Sequence, residues 1–246
     1  MPFSGEPYID FKEGDLAYGL HGPRGEFLKW CLKKDKFMVR GELKFPNMLT
    51  LDTYQARNAD TPEKLAGLKE FLGDIKQHDK YARYYDTLKA GTKHGDEAAL
   101  KLGPEEENSI LRAKSKFGIE WTIRKNRGHI HFVLDGMNMA EVATKTYLEL
   151  DLPKGKADSD LKIRSITGSE LRWIYRNRNV KAVQDRVQFW FSGGKSNFSP
   201  VSPPWEVDSI TCPAPRKSVG DKPSRHVSWK TAWSWYKPSS ESAGWE

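Results

Sequence analysis

Cysteine is almost absent: 246 residues hold only Cys31 and Cys212. Two thiols cannot build the multi-disulfide framework of a small secreted scaffold. Cys31 sits in the apolar stretch Phe27-Leu28-Lys29-Trp30-Cys31-Leu32 and reads as a core thiol; Cys212 lies in a Pro-rich tail, and nothing in the sequence supports a disulfide between them. Apolar runs of about 18 residues are also missing, which excludes a membrane-spanning helix and a membrane partner of that kind. The opening Met-Pro-Phe-Ser-Gly-Glu-Pro-Tyr lacks the basic, apolar and small-residue regions of a Sec signal. The expectation is cytoplasmic synthesis, with export by a route other than Sec left open. There is no P-loop, no Gly-x-Gly-x-x-Gly, no Gly-x-Ser-x-Gly, no His-Glu-x-x-His and no Cys-x-x-Cys. No cofactor is implied by any of these, and chemistry has to be argued from local pattern.

What is present is aromatic and basic. Nine Trp, nine Tyr and eleven Phe within a hydrophobic fraction of 37% supply a core and argue against a wholly disordered chain. The length suits one large domain or two small ones. The net charge of +7 is uneven: residues 119–195 carry fourteen basic and nine acidic side chains, whereas the segments on either side are nearly balanced. Such an excess suits either a solvated surface or a phosphate-bearing partner.

Periodicity divides the chain. Residues 25–34 fit a short helix, and 36–45 a strand. Thr61-Pro62-Glu63 opens a helical block over 61–118, with Leu65, Leu68, Leu72 and Ile75 at spacings of three and four. Gly103-Pro104-Glu105 restarts it, with acidic residues in the first turn where the helix dipole favours them. Ile119, Trp121 and Ile123 alternate with polar residues, Asn126-Arg127-Gly128 supplies a turn, and residues 129–134 alternate again, which predicts a β-hairpin over 119–134. Asn138 is a helix cap, Thr167-Gly168-Ser169-Glu170 reads as a capping box, and Val187, Phe189 and Phe191 form a strand ended by Ser192-Gly193-Gly194. The expected fold is α+β: an antiparallel sheet, a packed helical block, and an extended Trp/Pro-rich C-terminal tail. Residues 1–195 form the globular domain. Residues 196–246, with Trp205, Trp229, Trp233, Trp235 and Trp245, either wrap the body or dock a protein partner.

Three constellations can carry chemistry. In the expected hairpin His129 and His131 share one face with Thr122 and Arg124, and Arg127 sits in the turn. That set suits acid–base work on a phosphate, since His titrates near neutrality and Arg offers a fork of donors; a metal site and a merely solvated face are the alternatives. On the helix after Thr167, Arg172 and Arg176 stand four apart and are expected to face outward or across to a neighbouring strand, with Arg178 and Lys181 beyond them. Tyr18-Gly19-Leu20-His21-Gly22 is similar, at its His-Gly pair, to the start of diphtheria-type ADP-ribosyltransferases. That two-residue resemblance implies NAD held by His21; the simpler role for His21 is a turn.

The leading expectation is a bacterial effector or toxin-type enzyme, a hydrolase acting on RNA, DNA or a nucleotide. His129 and His131 would be acid and base, and Thr122, Arg124, Arg127, Arg172 and Arg176 would bind substrate. The rival is a non-catalytic adaptor that docks a protein through the tail and the basic face. An NAD-consuming transferase is the third reading.

Overall fold

The apolar runs Leu16–Tyr18 and Val187–Phe191 become strands, followed by Gly19 and by Ser192-Gly193-Gly194, and the periodic segment Pro62–Gln77 becomes a helix. The computed structural model describes residues 15–33, 62–86, 104–145, 166–215 and 225–238. The elements, in order, are β1 (Leu16–Tyr18), α1 (His21–Lys33), α2 (Pro62–Gln77), α3 (Pro104–Arg124), β2 (Ile130–Val133), α4 (Met139–Thr144), α5 (Ile166–Arg176), α6 (Lys181–Arg186), β3 (Val187–Phe191), β4 (Ser199–Val201), β5 (Thr211–Pro213), β6 (His226–Ser228) and α7 (Trp229–Ser234). The class is α+β. The expected strand at 36–45, the loop at 151–162, Thr61 and Trp245 lie outside the described residues. None of the described helices is long and apolar enough to cross a membrane.

The chain divides into two compact units. In the first, four strands are ordered β1-β2-β3-β4, and β5 pairs with β6 separately. β2 and β3 are parallel, with Phe132 opposite Phe189, whereas β3 and β4 are antiparallel, so the sheet is mixed rather than purely antiparallel. The physical reason is the connection. A parallel return needs a crossover of a dozen or more residues, and α4, α5 and α6 supply it. All four residues of β2 are buried, as expected of a strand covered on both faces. On one face His131 and Trp190 meet Phe27 of α1. On the other, Phe132 meets Phe189, Phe189 meets Trp205, and Phe191 meets Trp229. Gly19 is required where β1 hands over to α1: its φ is +134°, and a Cβ there would stand 2.6 Å from the Val133 carbonyl oxygen.

The second unit, described over 15–16, 62–86 and 104–129, is built on helices. Ala113, Phe117 and Trp121 of α3 recur every four residues and pack on Phe71 and Ile75 of α2 and on Tyr81 after it. The Trp121 indole donates to Asp74 at 2.8 Å.

The expected hairpin over 119–134 is overturned. Residues 119–124 are the last turns of α3, a helix that continues through Gly118, and Asn126 turns the chain at φ 55°. Residues 117–123 are buried all round, Glu120 and Thr122 included, so apolar residues at 119, 121 and 123 imitate a strand's alternation. β2 pairs instead with β3, more than fifty residues later. Ile130 and Phe132 are buried as expected, but so is His131. The capping box is also corrected: α5 already begins at Ile166, which places Thr167 and Glu170 inside the helix. Asn138 caps α4 as expected, accepting from the Ala140 N–H. Cys31 and Cys212 are both buried, with no disulfide between them.

Candidate functional site

The expected site residues fall into both units. In the helical unit Thr122 is buried in α3, and its carbonyl accepts from the Arg127 N–H at 3.0 Å. Arg124 donates its Nε to Glu120 at 2.9 Å. Arg127 pairs with Glu70 and lies over the Trp121 ring, 4.3 Å from its centroid. Lys125 contacts Asp74 at 2.9 Å and Glu70 at 3.5 Å, and these two carboxylates, Asp74 foremost, hold its amine above the usual value. The basic side chains after α3 are thus neutralised by acids from α2. Glu120, buried, also meets His78 Nε2 at 3.2 Å; His78 Nδ1 accepts from the Lys80 N–H, which leaves the ring proton on Nε2. His129 follows in the loop before β2: its N–H donates to Asp15 at 2.8 Å, and its ring, a quarter exposed, stands 3.6 Å from the same carboxylate.

In the sheet unit His131 is fully buried, and its Nδ1 accepts from the Trp190 indole at 3.2 Å. That position gives it a packing role inside the β2–β3 layer. Arg172, expected to face outward or across to a strand, is instead 5% exposed and donates to the Val142 carbonyl at 2.7 Å, tying α5 to the helix α4. The reason is the breadth of the covered face: residues 168–174 of α5 are all buried, so the four-residue spacing carries Arg172 inward while Arg176, past the covered stretch, keeps accessible surface. His21 opens α1, directly after Gly19 and Leu20.

Around Arg176 the chain assembles a cluster of rings and cations from four elements. Arg176 Nη1 donates to the Tyr236 hydroxyl at 2.8 Å. Arg178 lies over the Tyr175 ring, 4.0 Å from its centroid, with its own Nη1 bonded to the Tyr175 carbonyl at 2.8 Å. Trp233 stacks on Tyr175 at 4.9 Å and 21°. Trp205 meets Tyr175 and Trp233 edge to face, and Lys145 lies 5.9 Å from the Tyr236 ring centroid. Tyr175, Arg176, Arg178 and Trp205 are all partly exposed, whereas Trp233 and Tyr236 are buried. Neither Arg176 nor Arg178 pairs with a carboxylate among the described residues.

Comparison with known protein families, with curated proteins and with solved structures finds no match. The site therefore rests on its own chemistry. No three His, Cys, Asp or Glu side chains gather as metal ligands among the described residues. What the geometry offers is cations held against tyrosines: guanidinium groups positioned by a phenol hydroxyl, a ring face and a carbonyl rather than by acids. Sequence reasoning named Arg176 and noticed Arg178 but missed their partners. Tyr236 and Trp205 come from the tail, and no local period in the sequence links them to α5. The one usable signal was the Tyr175-Arg176-Asn177-Arg178 run itself, an aromatic beside alternating arginines.

Proposed function

We propose that this chain binds a phosphate-bearing ligand, a nucleic acid or a nucleotide, through the end of α5 that carries Arg176 and Arg178. The observation that supports this reading is a contrast in compensation. Arg124, Lys125 and Arg127 are each engaged by a carboxylate of their own unit. Arg176 and Arg178 are held by a phenol, a ring face and a carbonyl, all uncharged. A guanidinium without a counter-charge keeps its attraction for phosphate, and its fork of donors matches phosphate oxygens. The reading is one of recognition: His131, the expected acid or base, is in the core. Trp229 and Trp233 of the tail are likewise used inside the unit.

The test is fluorescence anisotropy with labelled oligonucleotides at low salt. Replacing Arg176 and Arg178 together by Ala should weaken binding at least tenfold and flatten the salt dependence by about one unit of log–log slope per lost phosphate contact. Arg124→Ala with Arg127→Ala should leave affinity unchanged. Affinity lost in the second double variant and kept in the first would overturn the assignment.

A further inference from the structure

The stacking geometry at Tyr175 points to more than charge. Trp233, buried, is nearly parallel to the Tyr175 ring at 4.9 Å. Arg178, partly exposed, lies 4.0 Å over the same ring. Tyr175 is thus contacted by a buried indole and by a partly exposed guanidinium. Of these three groups Tyr175 and Arg178 keep accessible surface, and Trp233 does not. The position of Arg178 is fixed from both ends: Nη1 bonds the Tyr175 carbonyl, and the Arg178 carbonyl accepts from Gln184 Nε2 at 2.9 Å. Side-chain freedom is therefore already restricted before any ligand arrives, which lowers the entropic cost of using the group. A guanidinium plane braced on an aromatic ring is a surface on which an unpaired base stacks. Trp205 adds a partly exposed indole beside Tyr175, with ring centroids 5.1 Å apart. Glu206, the next residue, is exposed and its charge disfavours phosphate there. That places base contacts toward Trp205 and phosphate contacts toward Arg176.

We infer that the ligand of this site is single-stranded nucleic acid, whose unpaired bases stack at the Tyr175–Arg178–Trp205 cluster while Arg176 takes a neighbouring phosphate. The inference rests on the phosphate-ligand reading above and narrows it. A duplex presents phosphates but buries its base faces, so it engages the arginines without stacking.

The experiment compares a single-stranded oligothymidylate with a duplex of equal length, using the full chain and the same anisotropy readout. Single strand should bind about tenfold tighter than duplex, and its binding should quench tryptophan fluorescence. Arg178→Lys, which keeps the charge and loses the plane, should weaken single strand about fivefold more than it weakens duplex and so erase most of that preference. Trp205→Ala, a change outside the arginine pair, should likewise weaken single strand more than duplex; circular dichroism of each variant confirms that it is folded. Equal affinity for the two forms, or a preference that survives Arg178→Lys, overturns the single-strand inference and leaves phosphate recognition standing. No binding to either form at low salt removes both readings.

Discussion

Asp135 shows how much one side chain at the end of a strand can organise. It follows β2, and its carboxylate accepts from the Ser192 N–H at 2.9 Å, the Ser192 hydroxyl at 2.7 Å and the Gly193 N–H at 2.9 Å. These bonds fasten the ends of β2 and β3 together and hold the glycine turn after β3, where Gly193 and Gly194 both have positive φ. Asp135→Ala should cost about 2 kcal/mol in urea denaturation, because several donors lose a charged acceptor while water reaches the exposed side of the turn. Asp135→Asn should cost less. Cys212 has a different signature. Burial pushes its thiol above the ordinary value of 9.0, with the Glu141 charge acting the same way and the Ala140 and Met139 backbone amides opposing. The folded state therefore holds the proton more tightly than the unfolded one. This contribution is complete below the unfolded thiol's pKa and is lost as pH rises through and above it. Cys212→Ala should flatten the alkaline limb of a stability–pH curve while leaving its neutral region parallel to that of the parent protein.

Among the elements, α7 is the one whose role the sequence left open. Ser228 caps it, its hydroxyl accepting from the Thr231 N–H at 3.1 Å, and the six residues that follow bury Trp229, Ala232 and Trp233. The helix is too short to be stable by propensity, so packing must hold it. Trp229 meets Phe191 of β3 at 5.0 Å, and Trp233 stacks with Tyr175 of α5. Trp233→Ala should therefore destabilise the protein by about 3–5 kcal/mol. Circular dichroism against denaturant checks this: an unchanged midpoint would mean that α7 does not belong to the core. The same variant would remove the indole that packs on Tyr175, the ring over which Arg178 lies, so its effect on ligand affinity has to be read on folded protein.

Among the described residues as a whole, charge is sorted by compensation rather than by segment. The +5 excess of residues 119–195 is a sum over both units, yet the helical unit answers its own cations with Glu70, Asp74 and Glu120 while Arg176 and Arg178 in the sheet unit stand beside rings. Sequence composition therefore located the excess correctly and said nothing about which cations remain available. The thiols report on the fold at the same scale. Cys31 and Cys212 are both buried and not in a disulfide, so a thiol reagent should find no fast-reacting cysteine in native protein and both on unfolding in guanidinium. One fast equivalent under native conditions would show that one of the two sites opens without global unfolding.

The sequence alone determined what depends on neighbours along the chain. Pro62 and Pro104 open helices because a missing N–H costs nothing at a first turn. Asn138 caps α4 because its side chain reaches the Ala140 N–H two residues on, and Val187–Phe191 is a strand because branched and aromatic residues alternate there. Only the tertiary structure decided the rest. Residues 119–123 carry a pattern that either a strand or an all-round buried helix satisfies, and the Phe71 and Ile75 side chains of α2 select the helix. His131 reads as surface chemistry until β3 and α1 cover it from residues far away in sequence. Arg172 and Arg176 are equivalent in spacing, and their fates diverge because α4 offers one a carbonyl and the tail offers the other a phenol. Burial and counter-charge are properties of what arrives from elsewhere in the chain, and no local period encodes them.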